Sequence, residues 1–327
     1  MDKERKMRKI IMSLIVFVGL LFFGCSQEEE QEAITDTVTI IAPSAIGEGW
    51  DKTARAIKNI LIHNHFIDED IHISNTIGAG GELGWKYTKQ QQDRVLAMNS
   101  SLLITNYLLG QSKLTYKDFT PIATLATEWE VILVAKDSNI KSAKRLMENL
   151  KETPQLYKIG VSPRLGNDDQ ISFVLASKQA GIQPKELNFL VYENSSQVVD
   201  ALLKKQIDVA TMTLSEAKKY YDLKQIQLLV ISSEKRLKGL TEVPTWKEEG
   251  IELVFKHWRG IMGPPNMSKK EIEFWEMTFK KMVRTEEWKQ TLQKYMWDDF
   301  YLNSSETSKF LDEENKKYKK LMDIHQF

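Results

Sequence analysis

The residues best placed to do chemistry in this chain are glycines and small hydroxyl residues gathered in turns. Gly47-Glu48-Gly49-Trp50-Asp51 follows a β-branched run, Val38 to Ile41, that ends near Pro43. Gly78-Ala79-Gly80-Gly81 follows a second run, Ile71 to Ile77, and Asn99-Ser100-Ser101 follows a third, Val95 to Met98. Each turn leads into a helical pattern; after Asp51, the residues Ala54, Ile57, Ile60 and Leu61 share one face. Glycine lets backbone N–H groups approach a ligand closely. A helix N-terminus adds free N–H groups and the positive end of a dipole. The chemistry this favours is capture of a negative group, and a carboxylate is the natural guest. Asp51 is also suited to capping its own helix, and Trp50 to walling a cleft or packing beneath it.

Later in the chain, Ser162-Pro163-Arg164-Leu165-Gly166-Asn167 and Tyr192-Glu193-Asn194-Ser195-Ser196-Gln197 are polar turns that open helices. They either supply the opposing wall of a cleft or cap those helices. Other chemistries lack their residues. The glycines from 78 to 84 miss the dinucleotide fingerprint because Leu83 stands where glycine is needed, and no Gly-x-x-x-x-Gly-Lys-Ser/Thr loop occurs. There is no Gly-x-Ser-x-Gly elbow for a serine hydrolase. One cysteine, Cys25, excludes an intramolecular disulfide and a cysteine metal cluster. Among His63, His65, His72, His257 and His325, the first two lie on different faces of a helix and make a poor metal pair. No catalytic residue, metal or cofactor is expected.

The elements that must hold these turns repeat in one order: strand, polar or glycine turn, helix, three times over. That order argues for a parallel α/β sheet. A second series begins near Ser142. Its strand candidates are Tyr157 to Val161, Leu187 to Val191, Val209 to Met212 and Ile226 to Ile231, with helical segments at Ile171–Ala180, Gln197–Leu203 and Glu216–Tyr221. Ser268 with Glu271 forms a capping-box pattern, with Ile272, Trp275 and Phe279 on one helix face, and Asn303 with Glu306 opens a last charged helix. The expectation is two α/β lobes with a C-terminal helical return: residues 37–135 plus 257–327 in the first lobe, 136–256 in the second.

Lys plus Arg equals Asp plus Glu at 45 each, so the basic footprint of a nucleic-acid binder is missing. Lys3, Arg5, Lys6, Arg8 and Lys9 precede 14 largely apolar residues, Ile10 to Phe23, then Gly24 and Cys25. A spanning helix wants roughly 20 apolar residues, so residues 1–24 read as a signal peptide. A cysteine directly after the apolar core and a small residue resembles a bacterial lipoprotein cleavage site, although Phe22 holds the place where Leu is usual. A short anchor retained uncleaved is the alternative. Lipidation of Cys25 would give stable membrane attachment, with residues 25–36 as a polar tether; without residues 1–24 the chain carries 40 basic and 43 acidic side chains.

Several of these segments together resemble the substrate-binding subunit of tripartite tricarboxylate transporters (Bug-type receptors). They are Gly47 to Arg55, Gly78 to Gly81, Asp118-Phe119-Thr120-Pro121, Leu165-Gly166-Asn167, Val243 to Gly250 and Trp258-Arg259-Gly260. Their order and spacing hold from about residue 38 to the end. The resemblance implies a two-lobed, Venus-flytrap receptor of the type II periplasmic-binding-protein kind. It lies outside the cytoplasmic membrane and delivers a small tricarboxylate or dicarboxylate to one large and one small membrane subunit. It implies a ligand carboxylate held on Gly47, Glu48, Gly49, Trp50 and Asp51 and on Ala79 and Gly80, with Ser100 nearby. Asn167 and Ser195 answer from the second lobe. Micromolar binding needs about 8 kcal/mol, and a hydrogen bond to a charged group nets about 1.5–3 kcal/mol. Three to five such bonds suffice without a buried Arg or Lys.

Two departures from the family pattern bear on the ligand. Glu48 stands where glycine is usual, and Asp168-Asp169-Gln170 follows Asn167 where neutral residues and a histidine are more common. Either these acids face water or cap helices, or the ligand is less anionic, bears an amine, or arrives as a metal–carboxylate complex. A ligand-sensing receptor coupled to a membrane kinase is the alternative output for the same fold; an extracytoplasmic enzyme and a purely structural lipoprotein fit the residues less well.

Overall fold

In the computed structural model, which describes residues 37–92 and 94–325, the three strand–turn–helix units form where the spacing places them. The strands β1 (Thr37–Ala42), β2 (Asp70–Asn75) and β3 (Val95–Asn99) pair in parallel in the order β2-β1-β3. The helices α1 (Gly49–His63), α2 (Glu82–Lys89) and α3 (Leu102–Leu108) follow them in turn. α1 buries Trp50, Ala54, Ile57, Ile60 and Leu61, the face marked by its apolar spacing.

The three repeated units are parallel as expected, and the complete sheet they join is mixed. A 16-residue strand, β4 (Thr120–Ala135), and β9 (Lys256–Gly263) run antiparallel to each other, and β9 runs antiparallel to β3. The first half of β4 pairs with β9 and β10 (Asp298–Leu302), and its second half with β7 (Val209–Thr213) and β8 (Ile226–Ile231). β4 therefore belongs to both halves of a ten-stranded sheet. Its side chains alternate between two cores: Ile132 and Val134 join the larger one, Val131 and Leu133 the smaller one beneath β7 and β8. Its last stretch, residues 131–135, is covered on both faces and reads as an apolar run rather than an alternation, so it gives no strand period.

The second series carries β5 (Lys158–Val161) and β6 (Asn188–Val191), with β7 parallel to β5. Its helices are α4 (Ala143–Glu152), α5 (Asp168–Gln179), α6 (Ser195–Leu203) and α7 (Leu214–Asp222). Ser142, Asn167 and Asn194 cap three of them, each side chain accepting a backbone N–H three residues on. Asn167 starts α5 ahead of its first apolar residue, Ile171, and so draws Asp168 and Asp169 into the first turn.

At the C-terminal end, Ser268 and Glu271 form the expected capping box of α8 (Lys269–Met282), followed by α9 (Glu286–Tyr295). Asn303 and Glu306 exchange hydrogen bonds at the start of α10 (Ser304–His325). α10 returns against α3 and β4 and is pinned there by Tyr116 Oη donating to Asp312 Oδ1 at 2.6 Å. No helix among the described residues is long and apolar enough to cross a membrane. The segments expected as signal peptide and tether, with Cys25, lie outside the described residues.

Candidate functional site

A cavity of about 210 Å³ opens where the C-terminal ends of β1, β2 and β3 face the turns of the second series, with β9 at its base. Glu48, Gly49, Trp50, Ala79, Gly80, Ser100 and Asn167 line it together. These come from turns more than 100 residues apart in the chain, and the parallel strands bring them to one edge, the place where open α/β sheets bind ligands.

Gly47, Asp51 and Ser195 do not line the cavity. The Asp51 carboxylate accepts from the Gly47 N–H at 2.8 Å, from Arg55 Nε at 2.9 Å and from Asn75 Nδ2 at 2.9 Å. Burial pushes its pKa up, but these hydrogen bonds outweigh it and hold Asp51 below the ordinary carboxylate value. Asp51 thus ties the turn to the start of its helix. Trp50 does both things proposed for it: it lines the cavity and packs edge-on against Trp85, ring centroids 5.6 Å apart.

The glycine turn is built on left-handed backbone, with Gly78, Ala79, Gly80 and Gly81 all at positive φ. At Gly81, φ is +94° and a Cβ would stand 2.9 Å from the Trp85 ring and 3.1 Å from Trp50. Only glycine lets the turn lie on the two indoles. From the other side, Arg164 Nη1 donates to the Ala79 carbonyl at 2.8 Å, and Asn106 Nδ2 to the Gly80 carbonyl at 3.2 Å.

Two contacts across the cavity join helix N-termini to carboxylates. The Gly49 N–H at the start of α1 donates to Glu216 Oε1 of α7 at 3.2 Å. The N–H and Oγ of Ser195 at the start of α6 donate to Glu48, at 3.2 and 2.7 Å. The main-chain donor expected to hold a ligand at Gly49 is therefore engaged by one of the chain's own acids. Ser100 Oγ and Trp50 Nε1 remain buried without a hydrogen-bond partner.

Sequence reasoning missed a buried ion network beneath the cavity and, with it, a buried cation at the site. Arg259 of β9 pairs with Glu128 of β4, and Trp297 Nε1 donates to the same carboxylate at 3.1 Å. His257 Nδ1 lies 2.9 Å from Asp168 Oδ2 and 3.4 Å from Glu130 Oε1, and Tyr318 Oη of α10 donates to Asp168 Oδ1 at 2.8 Å. Burial raises Glu128, but the charges of Arg259 and His257 prevail and hold it down at about 2. Burial and Arg259 lower His257, yet Asp168 and Glu130 overcome them and raise it to about 9. The signal was a pair of alternations: Glu128-x-Glu130 and His257-x-Arg259 each place two charges on one face of a strand, and the β4–β9 register sets Glu128 opposite His257. Neither alternation points to the other until the strands are known to pair.

At two other acids burial and like charge prevail. Burial and the neighbouring Glu216 raise Glu48 to about 7. Burial, with Glu130 and Glu216 nearby, raises Asp169 well above its ordinary value. Asp168 and Asp169 are buried, so they do not face water. Asn167 caps α5 and also donates to the Ser162 carbonyl.

Solved structures share the whole architecture. The periplasmic binding protein BugD matches with a TM-score of 0.80 at 16% identity, covering 89% of this chain and 97% of that one. The Rhodopseudomonas palustris protein Rpa4515 with adipate matches with a TM-score of 0.81 at 19% identity, covering 89% and 97%. MatC from the same organism, with bound malate, matches with a TM-score of 0.75 at 19% identity, covering 87% and 98%. The fold is that of the two-lobed α/β periplasmic binding proteins. Residues 64–326 match the tripartite tricarboxylate transporter family receptor, TctC, and the chain belongs to that family of extracytoplasmic solute-binding receptors, which are not enzymes. A curated relative from Cupriavidus necator, a UPF0065 protein in the gbd 5′ region, is 25% identical over 79% of this chain and 78% of its own length. A UPF0065 protein from the tcbD–tcbE intergenic region of a Pseudomonas species is 24% identical over 72% and 70%.

Proposed function

We propose that the chain is a lipid-anchored receptor that captures a small carboxylate in this cavity and delivers it to a large and a small membrane subunit of a tripartite transporter. The observation that carries the reading is the convergence of the Gly78–Gly81 turn, Ser100 and Trp50 on one cavity, with hydrogen-bonding groups on Ser100 and Trp50 buried and unpartnered. Such groups gain a full hydrogen bond when a carboxylate enters, because they have already lost water. Malate and adipate in the structural neighbours are ligands of the same chemical class. In this reading residues 37–135 and 257–327 form one lobe and 136–256 the other, and the Glu48–Ser195 and Gly49–Glu216 contacts hold the lobes together across the cavity.

Cys25, directly after the apolar run, carries the lipid and residues 25–36 the tether. Cys25→Ser should move the protein from the membrane fraction to the soluble or uncleaved form, read by fractionation and by incorporation of labelled fatty acid. For the ligand, a panel of mono-, di- and tricarboxylates and their amino derivatives is titrated against the purified full-length chain by thermal shift. A ligand at 100 times its Kd stabilises by about 2.7 kcal/mol, a displacement easily resolved. A flat response to the whole panel would remove the receptor reading for this cavity.

A further inference from the structure

We propose that the solute carries an organic ammonium beside its carboxylate, and that the acidic wall formed by Glu48, Asp169 and Glu216 receives it. The inference rests on the receptor reading above and narrows its ligand.

The charge around the cavity is lopsided. Five carboxylates line it, Glu48, Asp168, Asp169, Glu193 and Glu216, against two basic side chains, His257 and Arg259. Both bases are already committed: Arg259 to Glu128, and His257 to Asp168 and Glu130. Lys52, whose charge acts on Glu216 and Glu48, donates its ammonium to the Ser215 carbonyl and is not part of the lining. The wall formed by Glu48, Asp169 and Glu216 therefore carries more acid than the charges of Lys52 and Arg259, the latter shared with Glu128, can answer. A solute with two or three carboxylates would bring like charge against this wall in a partly desolvated space, where charges are poorly screened. Glu48 and Asp169 both resist ionisation there, because burial and neighbouring acids outweigh what lowers them, Lys52 at Glu48 included.

Other groups in the lining have the reverse character. Ser100 and Trp50 are 1% and 5% exposed, both line the cavity, and Ser100 Oγ and Trp50 Nε1 have no hydrogen-bond partner. With the Gly78–Gly81 turn beside them they form the donor side, suited to a carboxylate. A cavity lined both by unpartnered donors and by an excess of acids matches a solute that is itself dipolar. A divalent cation would be the other way to satisfy the acids. Among the described residues, however, no three His, Cys, Asp or Glu side chains are arranged to hold one.

The test is calorimetric titration of the full-length chain near neutral pH with matched pairs: butyrate against γ-aminobutyrate, and glutarate against L-glutamate. In at least one pair the amino member should bind about tenfold more tightly or better. Its binding should release protons, seen as a dependence of the enthalpy on buffer ionisation, because an ammonium beside Glu48 favours the charged carboxylate. Glu216→Gln keeps an acceptor for the Gly49 N–H and removes the charge, so it should lower the ratio of amino-member to plain-acid affinity in the responding pair. Plain acids that bind as tightly as their amino partners would overturn the ammonium subsite and leave the receptor reading standing. So would plain-acid binding that requires added Mg²⁺ or Ca²⁺, in favour of a metal complex. No binding by either member of any pair, or by the wider carboxylate panel, would overturn both.

Discussion

At the scale of single residues, the site is governed by which buried charges have partners. Glu128 and Arg259 neutralise each other below the cavity, and removing one partner leaves the other desolvated and alone. Glu128→Ala is expected to destabilise the protein by about 3–5 kcal/mol, measured by denaturant unfolding. The doubly neutral Glu128→Gln/Arg259→Met variant should recover much of that loss. Among the groups that hold protons more tightly in the folded chain than in the unfolded one are Glu48, raised from 4.5 to about 7, and His257, raised from 6.5 to about 9. In both windows the native state binds more protons, so stability falls as pH rises. The Glu48 contribution is complete below 4.5 and gone above about 7; that of His257 is complete below 6.5 and gone above about 9. Melting temperature followed across these windows should decline, and Glu48→Gln should flatten the lower one alone. Glu128 has the opposite sign, its contribution being lost as pH falls from 4.5 toward 2.

At the scale of elements, the glycine turn between β2 and α2 is the part least tolerant of change. Gly81→Ala asks an L-residue to hold a φ of +94° and to place a methyl against Trp85 and Trp50. The left-handed backbone alone costs about 1–2 kcal/mol, and the indoles must shift as well. The expected outcome is a lowered melting temperature together with lost carboxylate binding, since Trp50 also walls the cavity. A variant that unfolds earlier yet binds normally would show that the turn is only structural. The helix caps are local in the same sense. Ser268 with Glu271, Asn303 with Glu306, and Asn167 before α5 are all visible as patterns of two residues three apart, because the cap and the N–H it satisfies belong to one turn of chain. For this reason the starts of α8 and α10 were legible in advance.

At the scale of the molecule, two long-range devices complete the site. β4 crosses from one half of the sheet to the other, and α10 returns from the C-terminus to set Tyr318 against Asp168, 150 residues away in sequence. Tyr318→Phe removes a hydrogen bond to a buried carboxylate and should cost about 1.5–3 kcal/mol. It should also loosen the hold of Asp168 on His257, lowering the pH at which the histidine loses its proton. An NMR titration of the His257 ring checks this, and an unchanged midpoint would mean that Tyr318 merely fills space.

By itself the sequence determined what depends on neighbours along the chain: the strand–turn–helix order, the helix starts, the glycine turns that need positive φ, and the segments whose likeness places the chain among the tricarboxylate receptors. Tertiary structure alone decided which acids meet which bases. The antiparallel pairing of β4 with β9 joins Glu128 and Glu130 to His257 and Arg259, and the meeting of α1 with α7 joins Gly49 to Glu216. The reason is range. A cap or a turn is set by hydrogen bonds that close within a few residues, whereas a buried ion pair is set by burial and register between strands more than a hundred residues apart, and no local pattern specifies that register.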